Sequence, residues 1–203
     1  TPGPVKTNSV SVVSVRRRYN MEQLLTHYRT TVVPALKKEG GFSNTMAVPR
    51  IMKVVVQAGV GKRSKETEHV EKTAALLKRI TGQKAAPRAS RLSIAGFKMR
   101  EGMIVGLQVT LRGPRMYDFL ERLLAVVLPR PRDFRGISVD GVDGRGNYSL
   151  GFTEVNAFPE ATPEDMELGQ GMQITVVTNA QTNARGEALL RAMGFPFRDG
   201  VKK

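Results

Sequence analysis

From Val105 to Arg112 the side chains alternate without a break. Val105, Leu107, Val109 and Leu111 are apolar, while Gly106, Gln108, Thr110 and Arg112 are not. A period of two places one set on each face of an extended strand. Such a strand is buried on one side only, so it must belong to a sheet with one covered and one open face. Residues 51–57, entered from Pro49, repeat the pattern less strictly, with Lys53 and Gln57 sharing a face. The apolar runs, such as residues 123–128, are far too short to span a bilayer. No membrane partner is expected.

Helical spacing supplies the cover. Met21, Leu24, Leu25, Tyr28, Val32 and Leu36 recur at intervals of three and four, and Pro34 must kink that helix or restart it. After Gly59-Val60-Gly61-Lys62-Arg63, Ser64 is placed to cap a helix with Glu66, Glu68 and Glu71 in its first turns. Val70, Ala74 and Leu77 read as its buried stripe and Gly82 as its stop. An edge strand over residues 84–90, weakened by Pro87, and a long basic loop over 92–102 lead to the alternating strand. Pro114 opens a helix with Met116, Phe119, Leu120, Leu123 and Val127 inward, closed by Pro129. Strands over 147–155 and 172–178 and a helix over 183–193 complete the chain. There is no repeat and no long linker. The expected fold is a single α+β domain over residues 21–200: a largely antiparallel sheet with helices packed on one face and the other face available to RNA. Residues 1–20 form a basic, acid-free arm, which fits either a targeting segment or an RNA-binding tail.

Charge gives the open face a partner. Between Lys72 and Arg100 the chain holds eight basic residues and no acidic one. The first hundred residues carry 20 Lys and Arg against 5 Asp and Glu, the remainder 12 against 13. The net charge of +14 therefore sits in one half of the chain. Scattered charge would serve solubility better than a one-sided block, so the block points to a polyanion. With no tryptophan and few aromatics, base stacking is not the main device. A sheet face carrying Lys53, Gln57, Gln108, Thr110 and Arg112, beside Lys84, Arg88 and Arg91, can follow phosphates and hydrogen-bond to splayed bases. An ordinary solvated strand face is the alternative.

Catalytic constellations fail on inspection. Gly59-Val60-Gly61-Lys62 lacks the distal glycine of a phosphate loop, where Val56 stands, and the hydroxyl after the lysine, where Arg63 stands. Backbone amides there, with Lys62 and Arg63, can still hold one RNA phosphate. In Asp140-Gly141-Val142-Asp143-Gly144, Val142 occupies a calcium-ligand position. His27 and His69 lie on different expected helices without a motif, and absent cysteines exclude thiol chemistry and zinc knuckles. No enzyme activity, cofactor, metal or small-molecule substrate is expected.

Six separated segments resemble one known family. They are 48–51 (Val-Pro-Arg-Ile), 93–102 (Ser-Ile-Ala-Gly-Phe-Lys-Met-Arg-Glu-Gly), 109–113, 132–136 (Arg-Asp-Phe-Arg-Gly), 143–148 (Asp-Gly-Arg-Gly-Asn-Tyr) and 195–198 (Phe-Pro-Phe-Arg). In colinear order over about residues 22–198 they resemble large-subunit ribosomal protein five of bacterial type, the 5S-rRNA-binding family. The resemblance implies a structural component of the central protuberance, bound to 5S rRNA, large-subunit rRNA and neighbouring proteins of that region. It implies polar RNA contacts at Gln57, Gln83 and Thr110. It assigns Ser93, Ile94, Ala95, Gly96, Phe97, Lys98, Met99 and Arg100 to a loop approaching peptidyl-site tRNA. It offers Asp133, Phe134, Arg135, Asp143, Arg145, Asn147 and Tyr148 for a bridge to a small-subunit head protein. Gln57 departs from the family's usual asparagine, Gln170-Gly171-Met172-Gln173 from its Arg-Gly-Met-Asp, and residues 179–184 lack its usual charges. The N-terminal arm leans the setting toward an organelle, a mitochondrion before a plastid, and otherwise to the bacterial cytoplasm. An extraribosomal RNA-binding regulator or chaperone using the same sheet is the other function class.

Overall fold

The structure, a computed structural model, describes residues 24–63, 66–97, 99–131, 134–153 and 155–198, with the backbone alone at Lys62. The arm over 1–20, the helix onset at Met21, the Ser64 cap, Lys98 and Asp133 lie outside the described residues.

Five strands form one sheet: β1 (Ile51–Gly59), β2 (Ala86–Ala89), β3 (Ile104–Leu111), β4 (Tyr148–Phe152) and β5 (Met172–Thr178). Their order is β2-β3-β1-β5-β4 and every pairing is antiparallel. β1 thus sits in the middle, between β3 and β5, both of which follow it in the chain. Its alternation turns Val54, Val56 and Ala58 inward and leaves Lys53, Val55, Gln57 and Gly59 on the open side. On the inner side, Leu107, Val109, Leu111, Ile174 and Val176 join them beneath Leu76, Leu77, Ile80, Leu120, Leu123, Leu189 and Leu190 of the helices. Each such aliphatic side chain contributes about 1.5–3 kcal/mol when fully buried.

The helical layer starts with α1 (Leu24–His27) and α2 (Val33–Glu39), joined by a π-helical turn, Tyr28–Val32. Pro34 falls in the first turn of α2, and instead of a restart the backbone stays helical through Val32 and Val33, with the π-helical turn before the proline as the local irregularity. α3 (Thr67–Thr81) ends at Gly82 with φ of 68°. Its stripe is rotated from the expected one. His69, Thr73, Leu76, Leu77, Ile80 and Thr81 are buried, whereas Val70 and Ala74 are only partly covered. Polar residues can occupy that face because they bond locally: the Thr73 hydroxyl donates to His69 O at 2.8 Å and Thr81 to Leu77 O at 2.6 Å. α4 (Pro114–Arg122) runs on into a π-helical turn, Leu123–Val127, with all five expected inward residues buried. α5 (Pro163–Glu167) and α6 (Asn183–Ala192) complete the layer.

Two strands are shorter than their patterns. Pairing of β2 starts only at Ala86, while Gln83 N donates to Thr81 Oγ1 in the turn that leaves α3. β4 stops at Phe152, and residues 155–157 coil into a 3₁₀ turn that buries Val155 and Ala157.

The final helix is pinned by a glycine contact. A Cβ on Gly186 of α6 would lie 2.5 Å from Gly146 O and 2.6 Å from Gly146 Cα. Alanine in a helix interior is ordinarily worth about 1 kcal/mol over glycine. Here the backbone of Gly146 occupies that space, so Gly186→Ala is expected to lose about 1–3 kcal/mol instead. Urea unfolding of the two proteins checks the sign.

Candidate nucleic-acid interface

The open face is ordered in rows by the register of the strands. One row crosses the whole sheet: Ala86, Gln108, Gln57, Gln173 and Gly151 stand opposite one another in turn. A second row sets Thr110, Val55, Thr175 and Ser149 side by side. A third pairs Arg88, Gly106 and Gly59. Side-chain bonds follow the rows: Arg88 Nε donates to Gln108 Oε1 at 2.6 Å and Gln57 Nε2 to Gln173 Oε1 at 3.0 Å. Ser149 Oγ and Thr175 Oγ1 lie 3.2 Å apart. None of the five strands contains an Asp or Glu. That face is therefore built of amides, hydroxyls and cations, a set suited to phosphate oxygens and base edges.

The expected residues divide among several places. Lys53, Gln57, Gln108 and Thr110 share the open face, and exposed Arg112 follows the end of β3. Exposed Arg88 flanks the face from edge strand β2, and exposed Lys84 leads into that strand. Half-buried Gln83 lies between α3 and β2, and exposed Arg91 begins the segment beyond β2. Lys62 and Arg63 belong to a 3₁₀ turn beyond β1, where Arg63 Nη1 reaches Leu168 O at 3.5 Å. Gln173, Thr175 and Ser149 join the face in addition to the residues expected there. The alternation of β5 was there to read, but not which strand it pairs with.

The basic block also divides. Lys72 meets Glu68 at 2.6 Å, and Arg79 pairs with buried Asp165 on α5. Burial raises the Asp165 carboxyl, but hydrogen bonds from the Thr162 hydroxyl and backbone, with the Arg79 charge, hold it below the usual range. These cations serve the helical layer. The acid-free stretch of sequence draws its counter-ions from outside itself.

The expected loop between β2 and β3 is an ordered arm. Ser90 N donates to Met103 O at 2.8 Å, and Ile94 and Met99 exchange backbone bonds of 3.1 and 3.2 Å. Glu101 N donates to Ser93 Oγ at 2.9 Å. The tip, Ala95–Phe97, is a 3₁₀ turn with Phe97 75% exposed, and Arg91, Leu92, Ile94, Gly96 and Arg100 are exposed around it.

The other segments that carry the resemblance meet at the opposite end of the sheet, and much of their chemistry is spent internally. Tyr148 is 2% exposed, with edge-on contacts to Phe195 at 6.2 Å and Phe197 at 5.4 Å. Its hydroxyl donates to Ser138 O at 3.0 Å, and burial pushes its pKa up to about 12. Tyr148 thus offers no side chain to a partner. Phe134 is half-buried against the core. Asp143 accepts from Arg145 N at 2.9 Å, Asn147 N at 2.8 Å and Asn147 Nδ2 at 2.8 Å, while Asn147 Oδ1 accepts from Thr178 N at 2.9 Å. Of the bridge candidates among the described residues, Arg135 and Arg145 are exposed cations.

Comparison with known proteins identifies a family. A family model described as "Ribosomal protein L5" matches residues 44–100, and a second model, for the C-terminus of the same ribosomal family, matches residues 104–197. A large ribosomal subunit protein uL5 of Rubrobacter xylanophilus is 49% identical over 178 residues, covering 88% of this chain and 99% of its own length. The uL5 of Synechocystis is 48% identical over 177 residues, covering 87% and 98%. That of Thermotoga maritima is 45% identical over 183 residues, covering 90% and 100%.

The Asp143 turn yields a pH test. The Asn147 side chain lowers the Asp143 pKa most, burial opposes it, and the backbone N–H groups of Asn147 and Arg145 with the Arg145 charge leave the net shift downward. A folded pKa below the unfolded one means stability that is complete above about pH 4 and lost as pH falls through the folded value. Asp143→Asn is expected to be less stable than the parent at pH 7. Thermal melts should converge as the pH falls through the folded value of Asp143, below which both side chains are neutral.

Proposed function

Because the chain belongs to the uL5 family of large ribosomal subunit proteins, we propose that it is a structural constituent of a bacterial-type large ribosomal subunit. In this reading it holds 5S rRNA on the open face of its sheet and helps attach that RNA in the central protuberance. The observation that carries the reading is the five acid-free strands with their row of three glutamines, flanked by Lys53, Arg88 and Arg112. Phosphates meet cations at the edges, and base or ribose groups meet amides and hydroxyls between them. Large-subunit rRNA and neighbouring proteins are the remaining partners of a chain seated there. The relatives compared are bacterial, and they lend no support to the mitochondrial expectation.

Two further contacts belong to the proposal. The arm over residues 93–100 reaches peptidyl-site tRNA, with the apolar tip and Arg100 facing ribose and phosphate. At the other end, Arg135 and Arg145 face a protein of the small-subunit head. β1 has nine residues, so at 3.3 Å each the two ends stand roughly 30 Å apart. That separation lets one chain engage both partners without competition.

A binding titration tests the main claim. If about six to eight phosphates are neutralised, the log–log salt slope for 5S rRNA should fall near −4 to −6, at about −0.7 per contact. A slope shallower than about −2 rejects an electrostatic interface of this size.

For the arm, replacing Lys98 and Arg100 by Ala should leave 5S rRNA in the assembled subunit and weaken peptidyl-site tRNA occupancy, less so at high salt. Subunits that lose 5S rRNA while binding tRNA normally would move these bases to the 5S interface.

A further inference from the structure

The open face is not uniform. At the end nearer the arm it sinks into a groove of about 450 Å³, floored by Gly59 and Gly106 of neighbouring strands. The glutamine row forms one wall and Arg88 stands at the edge. No carboxylate lines it. A Cβ on Gly59 would meet nothing within 4 Å, so the protein's own packing does not require a glycine there.

The wall has a definite hydrogen-bonding character. An arginine can only donate, so Gln108 must turn its oxygen to Arg88 and its amide N–H groups away. The Gln57–Gln173 bond consumes one N–H and one carbonyl, whichever way the two amides are turned. Of three amides, five N–H groups and one uncommitted carbonyl remain. The wall is donor-rich and matches a base edge made of acceptors. Among the bases, guanine presents two adjacent acceptors, O6 and N7, on one edge. A floor without side chains admits a flat ring close to the backbone.

We propose that this groove is a slot for one unstacked guanine, lying flat over Gly59 and Gly106 with its O6/N7 edge toward Gln57, Gln108 and Gln173. This deepens the RNA-binding reading and rests on it. The slot adds a sequence-selective contact to an interface otherwise held by phosphates.

Dimethyl sulfate methylates guanine N7, so it reads the proposed contact directly. In the complex of the full chain with 5S rRNA, one guanine outside the paired stems should be protected at N7. Gly59→Val places its Cβ where nothing lies within 4 Å, projects its methyl groups over the floor and suits a strand. It should fold as the parent does, expose that guanine and lower affinity about tenfold to a hundredfold. Gln108→Leu keeps the bulk, removes donors and should expose the same guanine, which covers the case of a misfolded valine variant. Lys53→Ala should weaken binding and leave the protection in place. Full N7 protection and parental affinity in folded Gly59→Val or Gln108→Leu overturns the slot while the sheet-face reading stands. So does wild-type binding with no protected guanine. Failure of the wild type to bind 5S rRNA overturns both.

Discussion

The register of β1 between β3 and β5 decides which side chains meet the solvent. Val54, Val56 and Ala58 lie under the helices, so Lys53, Gln57 and Gly59 must face outward. A slip of one residue would bury a lysine and a glutamine and expose three core residues. The aliphatic inner face makes that slip costly, and the accuracy of the outer face is a by-product. Both neighbours of β1 inherit the constraint. Gln108 and Gln173 align with Gln57 because Leu107, Val109, Ile174 and Val176 are needed below.

The opposite end of the sheet works by internal closure. Tyr148 seats against Phe195 and Phe197, Asp143 folds its own turn, and Gly146 lies against Gly186. Gly136 completes the closure, since a Cβ there would lie 3.0 Å from both Pro196 O and Arg198 N. Segments that look like a recognition surface when read as motifs prove to be largely a structural knot. What such a knot offers a partner is its rim, where Arg135 and Arg145 project.

Electrostatics shows the same separation between chain order and space. The run from Lys72 to Arg100 is acid-free in sequence, yet Lys72 is matched by Glu68 and Arg79 by Asp165. An exposed pair such as Lys72–Glu68 adds little stability, so its main effect is to spend a cation locally. Among the described residues, Lys84, Arg88, Arg91 and Arg100 of the run accompany the open face and the arm, and the strands themselves carry no acid. A concentrated field thus falls on the side where the amide row lies.

By itself the sequence determined the class of fold, the strand faces and the side of the charge. Alternation at residues 105–112 and three-and-four spacing at 114–127 are local properties of extended and helical backbone, so they show without any partner. The same locality explains the misreadings. Val70 and Ala74 look like the buried stripe until the Thr73 and Thr81 hydroxyls are seen bonding within the helix on the buried face, and Tyr148 looks available until its aromatic neighbours from the chain's end are in place. Only the tertiary structure decided that β5 lies beside β1, which brings Gln173 to Gln57 across 116 residues, or that two glycines form the floor of a groove. Strand order rests on long-range pairing, where many registers satisfy the local pattern and burial of the whole inner face selects one.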